Sequence, residues 1–220
     1  MNSIDAQDTI EREAYFVYPK AFKKWHGAFL AGASITRLPT EVVEEEISTS
    51  PVLTAEYRLG LPKKWNLCLK LSSNYISNLG ALHVSRSLIN KKFALALGGN
   101  ASMWFGHLEL QAIKLKSYGV ILSPQLTFGY DFRKYFLSVA AEVNYGFMRT
   151  FSNEEELATF KQNQSLFAIK IAIEQPLWKT HSFLLFSKLN YAQFYYQSWL
   201  SYSTLSDYLL YPEFGFAFII

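Results

Sequence analysis

The sequence predicts an all-β protein, a closed antiparallel up-and-down barrel of about ten strands. Apolar and polar residues alternate along most of the chain, as at 66–73, where Leu67, Leu69 and Leu71 share one strand face. Ten segments of roughly nine to sixteen residues show such a pattern, whereas strands of soluble proteins average about five or six. Short and long connections also alternate along the chain, as they do when successive strands run up and down.

The predicted strands follow from these patterns and from the turn residues between them. They lie near 25–37, 51–61, 65–77, 80–89, 92–105, 118–131, 134–149, 165–176, 181–194 and 211–220. Tight links are predicted at 62–64, 77–80, 90–91, 132–133 and 177–180. Long loops are predicted at 38–50, 106–117, 150–164 and 195–210, with a turn or two of helix near 155–162. Residues 1–24 are then an N-terminal tail and residues 25–220 the barrel.

The two faces of these strands differ in chemistry. One face is mostly apolar, and aromatic residues gather near the strand ends, as they do at membrane interfaces. The other face carries balanced charges: Glu56, Arg58, Lys70, Glu142, Lys170, Glu174, Lys188 and Glu213. Because unpaired charge is costly in a confined interior, this balance indicates a polar lumen filled by side chains. Arg86 on the apolar face, and Leu184 and Phe186 on the polar face, break the pattern.

Short turns at one end, mostly long loops at the other and an apolar outer face are typical of bacterial outer-membrane barrels. We therefore predict a multi-pass barrel in the outer membrane of a Gram-negative cell, with both termini and the short turns in the periplasm. A soluble lipocalin-like carrier, with its leucines inside, would show the same alternation and is the alternative. Residues 1–16 lack a secretory signal, so the chain is either cytoplasmic or a mature form with Met1 added or retained.

The last ten residues, YPEFGFAFII, resemble the C-terminal β-signal of outer-membrane barrel proteins. That signal has a polar residue, a glycine two positions later, and aromatic or apolar residues three and five positions after the glycine. Glu213, Gly215, Phe218 and Ile220 occupy these places, with isoleucine where phenylalanine is usual. The resemblance implies that the barrel-assembly machinery is a partner during insertion.

Two short segments resemble the His-x-Ser-Asn motif of the lipid A 3-O-deacylase barrels, in which serine attacks an ester and histidine is the base. The first, at 75–78, has Tyr75 in the histidine place, and the second has His83 and Ser85 but Arg86 in the asparagine place. The glutamate that orients the histidine in that family is also missing, since position 97 is leucine. A lipid-modifying enzyme using His83 and Ser85 is the alternative function. The simpler interpretation is a hydrogen-bonded pair in the lumen.

Cofactor and metal sites are not indicated by the sequence. The four histidines show no paired spacing of the kind that zinc sites have, and the acidic runs at 44–46 and 154–156 lack the calcium-loop pattern. A net charge of +3 is too small to indicate a nucleic-acid partner. The single cysteine, Cys68, excludes an internal disulfide. We expect no cofactor, no metal ion and no nucleic acid.

The remaining chemistry lies at the short-turn end. A basic rim is predicted there, formed by Lys23, Lys24, Lys63, Lys64, Lys91, Lys92, Arg133, Lys134 and Lys179. Such a rim attracts anionic lipid headgroups or an acidic protein. The tail carries Tyr15, Phe16, Tyr18 and Phe22, which either plug the lumen or engage a partner. We predict a non-enzymatic scaffold or accessory subunit. It is surrounded by outer-membrane lipids and contacts another envelope protein through the rim, loops or tail.

Overall fold

The structure is a computed structural model that describes residues 16–41, 48–110, 113–152, 155–178, 181–193 and 207–220. Ten antiparallel strands form a closed barrel in which consecutive strands are neighbours and the last strand pairs with the first. The strands are β1 (Gly27–Arg37), β2 (Thr49–Gly60), β3 (Trp65–Ser73), β4 (Ser77–Asn90), β5 (Phe93–Leu110), β6 (Ile113–Asp131), β7 (Phe136–Ser152), β8 (Glu155–Pro176), β9 (Ser182–Ala192) and β10 (Leu209–Ile219). The predicted fold class is therefore confirmed. Within the described ranges, no helix is long and apolar enough to cross a membrane.

Alternation along the strands divides the barrel into an inner and an outer face. On β3, Leu69 and Leu71 are 52% and 66% exposed, whereas Cys68 and Ser72 are buried. The same alternation runs through β10, where Phe214, Phe216 and Phe218 lie outside. The outer face thus consists mainly of exposed leucine, isoleucine, valine and aromatic side chains. A soluble carrier with its leucines inside requires the opposite arrangement.

Strands β5 to β8 extend well past their predicted ends. The loops predicted at 106–117 and 150–164 are wrong, because β5 pairs with β6 up to Leu110 and Ile113, and β7 pairs with β8 up to Ser152 and Glu155. The helical turn predicted near 155–162 is also wrong, since those residues belong to β8. Polar side chains gave these segments the character of loops, but paired backbones stabilise a strand whether or not its side chains face water.

The turn between β3 and β4 lies earlier than predicted. Residues 77–80 belong to β4, so the short link predicted there is wrong, and Asn74, Tyr75 and Ile76 form the turn. Tyr75 has a φ of 74°, in the left-handed region, and its side chain is 96% exposed. The Asn74 side-chain oxygen accepts a hydrogen bond of 2.6 Å from the Ser77 N–H. An asparagine that closes a turn through its own side chain stabilises such a conformation without glycine.

Candidate functional site

The inner face of the barrel surrounds a cavity of about 260 Å³. All eight charged residues predicted for the lumen lie on that inner face. Seven of them line the cavity: Glu56, Arg58, Lys70, Glu142, Lys170, Lys188 and Glu213. The eighth, Glu174, is fully buried and contacts a piece of chain that crosses one end of the lumen. The structure thus brings the predicted set together in one interior.

Two ion pairs stand on the cavity wall. Lys70 Nζ lies 3.4 Å from Glu56 Oε1, and the two residues are directly opposite on β3 and β2. Lys188 Nζ donates to Glu142 Oε1. Because β8 lies between β9 and β7, this second pair joins strands that share no backbone ladder. Glu213 faces Lys188 from the other side, on β10.

Lys170 has a different environment from the other lysines of the lumen. Its ammonium lies 4.3 Å from the centre of the Phe186 ring, a distance at which a cation is attracted to an aromatic face. The residue directly opposite Lys170 on β9 is another cation, Lys188. In the described part of the chain, Lys170 forms no ion pair. The predicted charge network therefore contains paired and unpaired cations.

The chain that crosses the lumen is the N-terminal segment, residues 16–22, which enters at the short-turn end. Glu174 Oε2 accepts hydrogen bonds from the backbone N–H groups of Phe16 (3.0 Å) and Val17 (3.1 Å). The Arg58 guanidinium donates to the Phe16 carbonyl oxygen. One carboxylate and one guanidinium of the barrel wall thus satisfy main-chain groups that would otherwise be buried without partners.

Further wall residues hold the rest of the N-terminal segment. Asn66 Oδ1 accepts a hydrogen bond of 3.0 Å from the Phe22 N–H. The Ser87 hydroxyl donates to the Pro19 carbonyl oxygen over 2.8 Å. The Tyr18 hydroxyl lies 2.8 and 2.9 Å from the carbonyl oxygens of Lys91 and Lys92, in the turn between β4 and β5. The segment is therefore bonded to strands on several sides of the barrel.

Apolar contacts complete this closure of the lumen. Phe16 and Phe22 are each 4% exposed and belong to one buried cluster with Leu184, against which Phe186 packs. Tyr18 packs against Phe136, with ring centres 5.3 Å apart. Leu184 and Phe186, the two apolar residues on the polar face, thus form the contact surface for the N-terminal segment. Of the two roles predicted for the tail aromatics, plugging the lumen fits the placement of Phe16, Tyr18 and Phe22, whereas Tyr15 lies outside the described residues.

Sequence reasoning missed the wall positions that receive the N-terminal segment, although glycines mark two of them. A Cβ at Gly60 would lie 2.4 Å from the Lys23 carbonyl oxygen, and one at Gly129 would lie 2.4 Å from Pro19 Cδ. Glycine inside a strand often marks a place where another backbone approaches closely. These glycines were therefore the available signal for a chain inside the barrel.

The opposite end is called here the long-hairpin end, because the β5–β6 and β7–β8 hairpins extend there. Side chains of the wall fill part of the lumen at this end. Trp104 is 2% exposed and forms a buried cluster with Leu79 and Ala81. Partly buried apolar residues pack against it: Ile76, Leu108, Leu115, Ile121 and Met148. The charged cavity thus lies between the N-terminal segment and this apolar cluster.

His83 and Ser85 both face the cavity, one residue apart on β4. No hydrogen bond joins them among the described residues, so the simple interpretation as a hydrogen-bonded pair is not what the structure contains. His83 lies directly opposite Cys68 on β3. In the same part of the chain, no group of three or more potential metal ligands comes together.

The basic rim lies at the short-turn end, in tight turns. Its described members are all exposed: Lys23, Lys24, Lys63, Lys64, Lys91, Lys92, Arg133 and Lys134. Lys63, Lys64 and Arg133 have positive φ angles, in keeping with the tightness of the turns. Lys179 lies outside the described residues.

Of the residues that resemble an assembly signal, Glu213, Gly215 and Phe218 lie on β10, and Ile220 follows its last residue. Glu213 faces inward opposite Lys188, and Phe218 and Ile220 point outward, 49% and 61% exposed. A Cβ at Gly215 would lie 2.3 Å from the Phe186 ring, so glycine leaves the space that this ring occupies. The glycine of the motif therefore supports the contact surface of the N-terminal segment.

No protein-family model matches the chain, and no curated protein matches it. Solved structures of similar fold include Neisserial surface protein A (8% identity, 88% of this chain, 96% of that chain, TM-score 0.43). The outer membrane protease OmpT from Escherichia coli is also similar (10% identity, 88% and 93% of the two chains, TM-score 0.46). So is the translocator domain of the autotransporter NalP from Neisseria meningitidis (8% identity, 90% and 88%, TM-score 0.44). This likeness is one of fold alone.

Proposed function

We propose that this protein is an integral outer-membrane barrel of a Gram-negative bacterium, a non-enzymatic scaffold or accessory subunit whose own N-terminal segment closes the lumen. The closed lumen is the observation that carries the proposal. Buried main chain fills the passage at one end, and Trp104 fills it at the other. Such a barrel is not expected to form an open channel. Its remaining surfaces, and not its interior, are then what it offers to other molecules.

The outer face supports the membrane location. Large apolar side chains such as Leu53, Leu71 and Met103 are 66–69% exposed, and similar residues cover the outside of the other strands. Monomeric soluble proteins rarely expose apolar patches larger than a few hundred Å². A closed barrel is one of the two folds that satisfy all backbone hydrogen bonds inside a bilayer. Outer-membrane lipids are therefore the surroundings that this face requires.

Two further contacts are proposed besides the lipid chains around the outer face. The barrel-assembly machinery is expected to recognise β10 through Glu213, Gly215, Phe218 and Ile220. The exposed basic rim is expected to contact anionic phospholipid headgroups or an acidic envelope protein, because several cations at one end act together. Loops and tail offer further contact surface. Copurification from membranes in mild detergent identifies such a protein, and extraction without detergent as a monodisperse monomer would contradict the membrane location.

Conductance across a planar lipid bilayer tests the closed lumen. The full chain is expected to insert without opening a steady conductance. Glu174→Leu leaves the N–H groups of Phe16 and Val17 without their acceptor, so the N-terminal segment is expected to detach and open the short-turn end. Because Trp104 fills the other end, this variant and its control are compared in a Trp104→Ala background, where Glu174→Leu is expected to conduct. Glu142→Leu is the matched control, since it removes a lumenal carboxylate that binds Lys188. A full chain that conducts steadily, or a Glu142→Leu variant that conducts like Glu174→Leu, would contradict the proposal.

A further inference from the structure

Four outward residues form a square on the neighbouring strands β6 and β7, near the long-hairpin end. Lys116 is directly opposite Phe151, and Tyr118 is directly opposite Arg149. One diagonal of the square is aromatic: the rings of Tyr118 and Phe151 are stacked, with centres 5.6 Å apart. The other diagonal joins the two cations. Diagonal neighbours on one face of a sheet lie about 7–8 Å apart, so two long side chains can converge on one small anion.

Among the described residues, neither cation of the square forms an ion pair with a carboxylate. Lys116 and Arg149 are exposed, and neither forms an ion pair in the described ranges. Glu109, on β5, is bound instead to Lys114, whose Nζ lies 2.9 Å from Glu109 Oε1. The hydrogen bond with Lys114 lowers the pKa of Glu109, and the same bond raises the pKa of Lys114. Lys114 thus binds Glu109 directly, and Lys116 interacts with that carboxylate only at longer range. Glu156 lies opposite Phe151 on β8, beside the square, and forms no ion pair with Lys116 or Arg149 among the described residues.

The square lies where the apolar outer face ends. Below it, the outward positions of β6 are Val120 and Leu122, and those of β7 are Phe147 and Tyr145, all at least 40% exposed. Beyond Tyr118 and Phe147 the next outward residues are Lys116 on β6 and Arg149 on β7, and Phe151 follows Arg149. Apolar residues, then aromatic rings and then cations match the layers of a membrane leaflet, which are the acyl chains, the interface and the anionic headgroups.

We propose that Lys116 and Arg149 bind a phosphate group of an anionic lipid headgroup in the outer leaflet, on either side of the stacked rings of Tyr118 and Phe151. Arginine binds phosphate through two parallel N–H donors, and lysine supplies a second, more mobile charge. The rings lie between the two cations, at the edge of the apolar outer face. This site rests on the proposed membrane location, with the short turns in the periplasm, because only that orientation brings the square to the outer leaflet.

Binding of phosphorylated lipid A to the full chain in detergent micelles tests the site. Native mass spectrometry would give the bound fraction at increasing lipid concentration. Arg149→Gln and Lys116→Gln are each expected to weaken binding roughly fivefold, as the loss of one cation near an anionic surface does. Arg86→Gln is the matched control, because it removes an exposed arginine of β4 that belongs neither to the square nor to the basic rim. We expect it to bind as the unchanged protein does.

Binding measurements with other ligands identify what occupies the site. Dephosphorylated lipid A is expected to bind more weakly to the unchanged protein and equally to all variants. Unchanged binding of phosphorylated lipid A by Arg149→Gln and Lys116→Gln would overturn the site. Equal competition by inorganic phosphate, or saturation of the site by an acidic peptide, would overturn the assignment to a lipid. The proposed membrane location is tested separately, before any lipid is added. If the chain can be extracted without detergent, that location is wrong.

Discussion

The two ends of the lumen are closed in different ways. At the short-turn end the closure is main chain, since the N-terminal segment crosses the lumen and bonds through its peptide groups to Glu174, Arg58 and Asn66. At the long-hairpin end the closure consists of side chains of the wall, packed around Trp104. The first closure depends on residues outside the sheet, whereas the second is part of the strands.

Because of this difference, the N-terminal segment can detach from the folded barrel, whereas the Trp104 cluster cannot. The ladders that close the sheet use residues 27–219, so the N-terminal segment can detach while every strand pair stays formed. Its hydrogen bonds can be exchanged for bonds to water, and a typical exchange changes stability by about 0.5–1.5 kcal/mol. Removing Trp104 leaves an apolar void, which water does not stabilise.

The largest expected effect comes from removing the strand on which both ends depend. Deleting residues 211–220 removes most of β10 and leaves β1 and β9 with unpaired edges. Open edges are not tolerated in a bilayer and promote aggregation in water. We expect aggregated protein with no folded barrel. The difference in gel mobility between heated and unheated samples measures this, together with surface labelling of cells.

Deleting residues 1–21 is the control for that truncation, because it removes a longer piece from the other terminus. This variant is expected to keep the gel mobility of a folded barrel while its short-turn end is open. A folded and surface-exposed chain without residues 211–220 would contradict the closure of the sheet by β10. Loss of the barrel without residues 1–21 would show that the N-terminal segment is not separable.

A smaller effect is expected from Trp104→Ala at the long-hairpin end. Trp104 is 2% exposed, and truncation of a buried aromatic residue to alanine destabilises a protein by about 3–5 kcal/mol. Urea unfolding of the barrel in lipid vesicles measures the loss. Trp65→Ala is the control, since Trp65 is 38% exposed on the outer face and its truncation opens no void in the interior. Equal losses for the two variants would mean that the apolar cluster is not a packed closure.

Alternation in the sequence predicted which face each charged residue occupies, because the period of a strand is fixed by its geometry. It did not predict which charges meet. Lys70 and Lys170 have the same pattern around them, yet register places one opposite Glu56 and the other opposite Lys188. Pair identity depends on strand register and on side-chain reach, and neither is visible in one strand alone.

The N-terminal segment shows a second limit of the sequence. Its aromatics predicted either a plug or a contact with a partner, and nothing in their spacing distinguishes the two. The contacts that hold Phe16 and Val17 use backbone N–H groups, which every residue except proline carries. Strand ends were missed at β5–β8 for a related reason, since the backbone pairs that extend these strands leave no hydrophobic pattern.

The smallest expected effect separates Lys70 from Lys170, which line the same cavity and can receive the same substitution. Lys70→Leu removes the partner of Glu56 and leaves that carboxylate inside the lumen. Full burial would make such a loss worth several kcal/mol, but the Lys70 side chain is 36% exposed, so water offsets part of it. We expect Lys70→Leu to lower the free energy of unfolding by about 1–2 kcal/mol.

Lys170→Leu is expected to leave the free energy of unfolding unchanged or to raise it slightly. Lys170 forms no ion pair among the described residues and acts on the lumenal carboxylates only at longer range, and leucine can pack on Phe186, which already contacts the apolar cluster of the N-terminal segment. The substitution also removes a like charge opposite Lys188, and like charges directly opposite destabilise a sheet. Thermal unfolding followed by gel mobility compares the two variants at one pH and salt concentration. Equal destabilisation by both would mean that the lumen responds to its total charge. A lower unfolding temperature for Lys170→Leu alone would mean that the longer-range attraction of this lysine to the lumenal carboxylates outweighs its repulsion from Lys188.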